Sequence, residues 1–274
     1  MGIDGLFSIA GKVAVITGGS RGIGRMLAEG FVAAGARVYI SSRNVEACEQ
    51  VAAELSKIGA CHSAPADLSR HEGVEQLAEQ ISGREPALDV LVNNAGVTWG
   101  APLEQYPVEA FDRCWNVNVK SVFHLTRLLL PQLREAADPD DPARVINIGS
   151  VDGLRVPPLG TLEGAETGDV PSMENYAYSA SKAAVHMLTR HLAHRLAREH
   201  ITVNAIAPGP FESRMMNFLL GNEEGRRQVA GSVPRGRIGT PDDVVGAALY
   251  LASRAGAYLT GAILPVDGGI STHG

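Results

Sequence analysis

The chain is poor in cysteine and has no long apolar run. Its 274 residues include three cysteines, Cys48, Cys61 and Cys114, whose odd number and wide spacing argue against a disulfide framework. We expect buried free thiols in a reducing compartment. No apolar stretch is long enough to span a membrane, and no early segment has the composition of a secretory signal. The sequence therefore predicts a cytoplasmic protein without a membrane segment.

The chain also lacks an excess of positive charge. Its formal net charge is -6 at pH 7, its pI is near 5.8 and its basic residues form no long run. Such a balance does not favour a nucleic-acid partner. His191 and His194 are three positions apart, as metal ligands can be, but basic neighbours favour a basic helix face and no metal. Those neighbours are Arg190, Arg195, Arg198 and His200.

What is present suits a soluble globular protein, with 45% hydrophobic and 20% charged residues. Short apolar runs typical of buried strands alternate with longer stretches of helical periodicity. This alternation predicts an α/β fold of one domain, residues 1–274, with a doubly wound parallel sheet and helices on both faces. The predicted strands are 12–17, 36–41, 88–93, 143–148, 201–207 and 262–267.

Several boundaries follow from local signals. Gly59 is expected to close the helix that begins near Asn44, and a long helix is expected from 176 to about 200. Thr240 is the predicted N-cap of a helix with a proline in its first turn. Residues 152–175 are rich in glycine, proline and acids and show neither the alternation of a strand nor the periodicity of a helix. This composition predicts a long inserted loop.

The stretch TGGSRGIG (17–24) follows the first predicted strand and opens the first predicted helix. Glycines in that context let the backbone approach a pyrophosphate over the helix N-terminus. The alternative is a tight glycine turn without a ligand. The predicted dinucleotide contacts are Gly18, Ser20, Arg21, Gly22, Ile23 and Gly24.

The end of the second strand, SSRN (41–44), favours NADP over NAD. An acidic residue there would bind the ribose hydroxyls and repel a 2′-phosphate. Ser42 offers a hydroxyl instead, and Arg43 offers a guanidinium suited to a phosphate, with Arg21 as a second cation. The alternative for Arg43 is a solvated charge before a helix.

The stretch YAYSASK (176–182) contains Tyr176, Tyr178 and Lys182. Successive helical residues are rotated by about 100°, so Tyr178 and Lys182 differ by roughly 40° and Tyr176 and Lys182 by roughly 240°. Only Tyr178 shares a face with the lysine. An ammonium within about 4 Å stabilises a phenolate by roughly 4 kcal/mol at an effective dielectric of 20, so we expect Lys182 to lower the pKa of Tyr178.

These residues belong to a larger set that resembles the short-chain dehydrogenase/reductase family over nearly the whole chain. Each motif falls at a predicted strand end or helix start, and the resemblance implies a Rossmann fold and NAD(P)-dependent chemistry on a carbonyl or an alcohol. The motifs are TGGSRGIG, NNAG (93–96), Asn118 in NVN, Ser150 in INIGS, Tyr178 and Lys182 in YSASK, PG (208–209) and VDGG (266–269).

The resemblance implies a role for each residue of the catalytic set. Tyr178 donates a proton to the carbonyl oxygen, Ser150 hydrogen-bonds that oxygen, Lys182 holds the nicotinamide ribose and Asn118 keeps a water for proton relay. Taken singly, Ser150 could be a strand-end cap, Asn118 a helix cap and Lys182 a surface amine. The spacing from Ser150 to Tyr178, 28 positions, is longer than in many members because of the 152–175 segment.

The resemblance also assigns further NADP contacts. Asp67 and Leu68 correspond to the adenine side, the NNAG loop to the adenosine ribose, and the PG turn to the nicotinamide. Ser213 stands where the family often has threonine near the carboxamide. The residues so assigned are Asp67, Leu68, Asn93, Asn94, Ala95, Gly96, Pro208, Gly209 and Ser213, with Tyr178 and Lys182 touching the cofactor as well.

Among family members, three stretches are most similar to 3-oxoacyl reductases: INIGS, PRGRIGTPDDVVGAALYLAS and YLTGAILPVDGG. The run NNAGVTWGAPLEQYPV further resembles the β-ketoacyl reductase associated with rhamnolipid synthesis. This implies an acyl-CoA or acyl carrier protein thioester, a substrate lid over 210–237 and a homotetramer. The alternatives are a dehydrogenase of another secondary alcohol or ketone and a non-catalytic NADP-sensing or scaffold protein. The apolar lid residues expected to meet the acyl chain are Met215, Met216, Phe218, Leu219 and Leu220.

Overall fold

The computed structural model describes residues 3–156, 174–213 and 221–272. Seven strands form one sheet in the order β3-β2-β1-β4-β5-β6-β7, and every pair is parallel. This confirms the predicted doubly wound α/β fold. The strands are β1 (Val13–Thr17), β2 (Arg37–Ser41), β3 (Cys61–Ser63), β4 (Val90–Asn93), β5 (Ala143–Ile148), β6 (Ile201–Pro208) and β7 (Ile263–Val266).

Helices connect the strands and cover both faces of the sheet. One π-turn, Asn116–Lys120, joins two helices of the set into a continuous segment. The helices are α1 (Ile3–Leu6), α2 (Gly22–Ala33), α3 (Val45–Leu55), α4 (His71–Ser82), α5 (Val108–Trp115), α6 (Ser121–Leu128), α7 (Leu130–Ala136), α8 (Tyr176–Leu196), α9 (Glu223–Gly231) and α10 (Pro241–Ala252).

Two apolar cores lie on opposite faces of the sheet. Ala14 and Ile16 of β1 point to the core made with α2, α3 and α10, while Val13 and Val15 point to the core made with α4, α6, α7 and α8. Because both faces are buried, the strands are apolar at nearly every position. That is why they appear in the sequence as continuous runs.

Some predicted boundaries are correct and others are not. Thr240 is the N-cap of α10, as predicted, and it forms a capping box with Asp243. In contrast, α3 ends at Leu55 rather than at Gly59. The Ser56 Oγ lies 2.7 Å from Ala52 O and 2.8 Å from Cys61 O, so its one hydrogen is shared between the two carbonyls where the chain leaves the helix.

The three cysteines are buried and free, as predicted. Within the ranges given above, no helix is long and apolar enough to cross a membrane, and no three His, Cys, Asp or Glu side chains are grouped to hold a metal ion. Most of the predicted loop, residues 157–173, and the apolar part of the predicted lid, residues 214–220, lie outside the described residues.

Candidate active site

The predicted motifs meet along one edge of the sheet, because the carboxyl ends of parallel strands lie side by side. The strand order reverses between β1 and β4, and open α/β sheets bind their ligands at such a point. The glycine turn follows β1, the NNAG loop follows β4, Ser150 follows β5 and the PG turn ends β6. The sheet therefore brings together segments far apart in sequence.

Glycine shapes the turn after β1. Gly18 and Gly22 have φ angles of 68° and 52°, in the left-handed region that glycine adopts without steric cost. A Cβ on Gly24 would lie 2.3 Å from the Gly18 carbonyl oxygen, so α2 begins directly against the turn. The result is a backbone cradle at a helix N-terminus, which fits a pyrophosphate. Of the other contacts predicted here, Ser20 and Arg21 lie in the same turn and Ile23 lies in the first turn of α2.

Hydrogen bonds tie the NNAG loop to the glycine turn. The Thr17 hydroxyl accepts from the backbone amides of Asn94 at 2.9 Å and Ala95 at 3.0 Å. The Asn94 side-chain Nδ2 donates to the Thr17 carbonyl at 2.8 Å and to the Gly18 carbonyl at 3.3 Å. The Asn94 side chain therefore holds the two loops together.

The end of β2 presents hydroxyl and guanidinium groups. The Ser42 Oγ donates to the backbone carbonyl two residues on, at 2.8 Å, and the Arg43 side chain is exposed. The pKa of the Asp67 carboxyl is lowered overall. Burial by itself would raise it, but hydrogen bonds from Ser69 and nearby charges including Arg43 outweigh the effect of burial. Arg43 and Asp67 thus face the same corner of the cleft, and the side chain of Leu68 is buried beneath it.

The opposite side of the cleft is built around the PG turn. The Gly209 amide donates to Val266 O at 3.0 Å, and a Cβ on Gly209 would lie 2.8 Å from the Cα of Asp267. Pro208 ends β6 directly before this contact. Ser213 lies against the glycine turn, because a Cβ added to Gly22 would lie 3.2 Å from the Ser213 Cβ. The segment that follows the PG turn therefore contacts the glycine turn after β1.

Tyr178 and Lys182 share one face of α8, as the helical geometry predicts. The Lys182 Nζ lies 5.5 Å from the centroid of the Tyr178 ring and donates to Ile148 O at 2.7 Å. Lys182 is 4% exposed, so it is not a surface amine. Tyr176 points elsewhere and packs edge-to-face on Tyr106, with 5.4 Å between the ring centroids.

Asn118 lies inside the π-turn Asn116–Lys120, not at a helix cap. Its Oδ1 accepts from Val97 N at 2.9 Å, and its Nδ2 donates to Val97 O at 3.0 Å and to Ser181 Oγ at 2.8 Å. A Cβ on Gly96 would lie 3.5 Å from the same Oδ1. Single π-turns often occur at functional sites, and this one fastens the NNAG loop to α8.

Ser150 both caps a turn and faces the cleft. Its Oγ accepts from the Asp152 amide at 3.1 Å, which caps the 3-10 turn Val151–Gly153. The hydroxyl hydrogen is thereby left for another acceptor. The Ser150 side chain also acts on the phenol of Tyr178, whose pKa it lowers against a larger opposing effect.

Burial sets the acid–base state of the site. It raises the pKa of Tyr178 to about 12, with smaller upward effects from Asp152 and Cys114, and only Ser150 opposes it. Burial also lowers the pKa of Lys182 to about 8. The expected lowering of the tyrosine pKa is therefore wrong: desolvation of the phenol raises the pKa, and Lys182 is not among the groups that lower it. Tyr178 is a protonated acid at neutral pH.

A chain of buried polar side chains lies beneath the site and is not predicted from the sequence. One member, Asn93, is assigned to the cofactor by the family resemblance, but its side chain is buried at the end of β4 and bonds within this polar chain. The polar chain crosses the neighbouring strands β4 and β5 and reaches α6 and α8 on the same face of the sheet. The Asn93 Nδ2 donates to Asn147 Oδ1 at 2.9 Å and to Thr126 Oγ1 at 3.2 Å, and the Asn147 Nδ2 donates to Thr189 Oγ1 at 2.9 Å. Asparagine within an otherwise apolar strand is the signal that could have revealed it.

Tyr106 is a second unpredicted contributor. Its hydroxyl donates to Trp99 O at 3.0 Å and accepts from the Ala177 amide at 3.2 Å. Ala177 is in the first turn of α8, where no side chain of the preceding residue caps the helix. Tyr106 therefore supplies the missing acceptor beside Tyr178.

Known proteins resemble this chain along most of its length. A family described as enoyl-(acyl carrier protein) reductase matches residues 18–271. The rhamnolipids biosynthesis 3-oxoacyl-[acyl-carrier-protein] reductase of Pseudomonas aeruginosa is 47% identical over 263 residues, which cover 96% of this chain and 97% of that protein. The gluconate 5-dehydrogenase of Gluconobacter oxydans is 33% identical and covers 97% of each chain.

Solved structures give the same result. The Pseudomonas aeruginosa RhlG/NADP active-site complex superposes with a TM-score of 0.90 at 46% identity, covering 97% of this chain and 99% of that chain. A gluconate 5-dehydrogenase from Burkholderia cenocepacia in complex with NADP and tartrate superposes with a TM-score of 0.84 at 31% identity, covering 98% and 99%. The chain therefore belongs to the short-chain dehydrogenase/reductase family.

Proposed function

We propose that the protein is an NADPH-dependent reductase of 3-oxoacyl thioesters, giving 3-hydroxyacyl products. The observation that carries this proposal is the grouping of Ser150, Tyr178 and Lys182 at the sheet edge that also bears the glycine cradle. Support for the substrate comes from the Pseudomonas aeruginosa relative, a 3-oxoacyl-[acyl-carrier-protein] reductase with 47% identity.

The residues along the edge fit NADPH. The glycine cradle would hold the pyrophosphate, and Arg43 with Ser42 would meet the 2′-phosphate, since no acidic residue follows β2. Arg21 lies in the same turn, and the remaining contacts would come from the loops already described. When bound, NADPH supplies the hydride for the carbonyl carbon. The RhlG/NADP complex supports this choice of nucleotide. The proposed contacts are Gly18, Ser20, Arg21, Gly22, Ile23, Gly24, Ser42, Arg43, Asp67, Leu68, Asn94, Ala95, Gly96, Tyr178, Lys182, Pro208, Gly209 and Ser213.

The side chains around the cleft divide the remaining work. The Tyr178 hydroxyl, protonated at neutral pH, donates its proton to the carbonyl oxygen. The Ser150 hydroxyl donates a hydrogen bond to that oxygen, since its Oγ accepts from the Asp152 amide and its hydrogen is left for another acceptor. Lys182, held by Ile148 O, places a cation beside the phenol as the proton leaves. Asn118 positions the loop that borders this space, and we assign the proton-relay water to its neighbourhood.

The proposed function also bears on the domain organisation, the location, the substrate carrier and the oligomeric state of the protein. We propose a single cytoplasmic domain with a substrate lid over 210–237, acting on a small carbonyl compound delivered by coenzyme A or an acyl carrier protein. Exposed apolar side chains on α5, α6 and α8, namely Phe111, Trp115, Phe123 and Met187, support self-association as a homotetramer. Light scattering that gives a mass near 28.9 kDa would reject the tetramer.

A second enzymatic candidate is a dehydrogenase of another alcohol or ketone, because gluconate 5-dehydrogenases are among the relatives. The non-catalytic alternative gains nothing from the half-buried Tyr178 and the buried Lys182, which a binding protein does not need. The two enzymatic candidates differ in substrate alone, so a substrate panel separates them.

The test is oxidation of NADPH and of NADH with acetoacetyl and longer 3-oxoacyl thioesters, beside a panel of sugars, steroids and small ketones. We expect turnover of the thioesters with NADPH and its loss in Tyr178→Phe. Tyr176→Phe is the matched control, since that ring packs on Tyr106 and not on Lys182. Turnover confined to unrelated carbonyls would reject the substrate assignment, and tight NADPH binding without any turnover would favour the non-catalytic alternative.

A further inference from the structure

Asp152 brings a carboxylate to the site between the serine turn and α8. It is the middle residue of the 3-10 turn Val151–Gly153, and its amide donates to Ser150 Oγ at 3.1 Å. Its Oδ2 accepts from Asn175 Nδ2 at 3.4 Å, and Asn175 directly precedes α8. The carboxylate is thus held beside the first helical turn, which carries Tyr178.

The Asn175 amide completes this arrangement. Its Oδ1 accepts from Ser179 Oγ at 3.4 Å, so the three side chains form a short chain from the serine turn to the helix. The Asp152 side chain is half-buried, and the Asn175 amide holds its carboxylate at the start of α8. The Asp152 backbone is fixed separately, by the bond from its amide to Ser150 Oγ.

The charge of Asp152 is felt at the reacting hydroxyl. After burial, the Asp152 carboxylate is one of the groups that raise the pKa of Tyr178. Burial raises the pKa of Asp152 itself, while the Asn175 hydrogen bond and the charge of Arg155 act against that rise. Among the described residues, Cys114 of α5 and Lys182 of α8 are titratable groups that also lie around the phenol. Asp152 is the carboxylic acid of this set.

We propose that Asp152 is a specificity-determining residue that rejects substrates bearing a carboxylate near the reacting carbonyl. The inference rests on the proposed function, because Ser150 and Tyr178 define where the carbonyl oxygen lies. A free 3-oxo acid carries its negative charge two carbons from that carbonyl, whereas a 3-oxoacyl thioester is neutral there. Like charges within a few ångströms in a partly desolvated cleft weaken binding by about tenfold or more. Asp152 thereby selects the thioester over the free acid.

The test uses pairs of ketones that differ only in this charge. Free acids and their methyl esters, including acetoacetate and methyl acetoacetate, are compared with a neutral acetoacetyl thioester, with NADPH at slightly alkaline pH so that Asp152 is ionised. In Asp152→Asn, we expect the ester-to-acid ratio of kcat/KM to fall about tenfold, mainly through a lower KM for the acid. Asp152→Glu restores the charge and should restore the wild-type ratio.

Asp242→Asn is the matched control, because it removes the same charge from an exposed position in the first turn of α10. Asp152→Ser is measured in parallel, so that the comparison survives if one variant does not fold. An unchanged ratio in the folded variants, or a wild-type preference for the acids, overturns the inference. Reduction of other ketones but not of the thioester rejects the proposed function while the ratio still tests Asp152. A protein inactive on every pair overturns both.

Discussion

Replacing Gly24 by alanine should damage the fold and nucleotide binding together, whereas the same replacement at Gly246 should not. A Cβ at position 24 would lie 2.3 Å from Gly18 O and 2.4 Å from Asn94 Nδ2. At position 246, within α10, a Cβ would meet nothing within 4 Å. The two variants therefore differ in surroundings and not in the chemistry of the change.

The expected magnitude follows from three contributions. Overpacking against backbone costs about 1–3 kcal/mol, and displacing the Asn94 amide from its carbonyl acceptors costs about 1 kcal/mol more. Alanine regains about 1 kcal/mol of helix propensity in both variants. We therefore expect Gly24→Ala to lose about 1–3 kcal/mol of unfolding free energy and Gly246→Ala to gain up to about 1 kcal/mol.

Thermal unfolding and NADPH titration measure both effects. For a chain of this size about 1 kcal/mol corresponds to 2–4 °C in Tm, so the two variants should move in opposite directions. Nucleotide affinity should fall at least tenfold in Gly24→Ala alone, because the turn that approaches the pyrophosphate must open. If Gly24→Ala were as stable as the wild type and bound NADPH equally well, the tight approach of α2 to the turn would be refuted.

Three further changes test other parts of the structure. Arg144→Met removes a fully buried guanidinium that donates to Leu251 O in the last turn of α10 and to Ser253 O directly after it. The change should cost about 3 kcal/mol in urea unfolding; an unchanged midpoint would contradict this. Tyr106→Phe leaves the buried Ala177 amide without its acceptor, and should cost about 1–2 kcal/mol by the same method and lower kcat. For Lys182, the pKa is lowered from 10.5 to about 8, so the unfolded chain binds more protons between these values and stability should rise with pH across them. Lys182→Met should lack that rise. Above about pH 10 the wild type and the variant should both lose stability, because the pKa of Tyr178 is raised to about 12. Parallel pH profiles of the two proteins below pH 10 would contradict the lowered pKa of Lys182.

The sequence predicts most of the fold because burial on both faces leaves a simple apolar signal. β5 is predicted residue for residue as 143–148. β3 is missed because it has three residues, Cys61–Ser63, at the sheet edge, and its central His62 is exposed. A short edge strand pairs through its backbone with β2 and needs little apolar side chain of its own.

The sequence predicts which residues meet in the candidate site but not their acid–base state. Helical rotation alone pairs Tyr178 with Lys182, and strand ends place the loops around them. The sign of the tyrosine pKa shift is not predictable this way, because it depends on how fully the folded chain removes water from the phenol. The π-turn around Asn118 is equally hidden, since its sequence continues a normal helical pattern.

The paired asparagines beneath the site protect its alignment. Asn93 and Asn147 are register partners in β4 and β5, so their amides meet only when the two strands are correctly aligned. A slip by one residue would turn an amide toward the wrong face and leave its polar atoms without partners in an apolar interior. The same slip would move Ser150 by about 3.3 Å relative to the NNAG loop. The misalignment that would ruin the cleft is thus penalised inside the sheet, before any ligand is present.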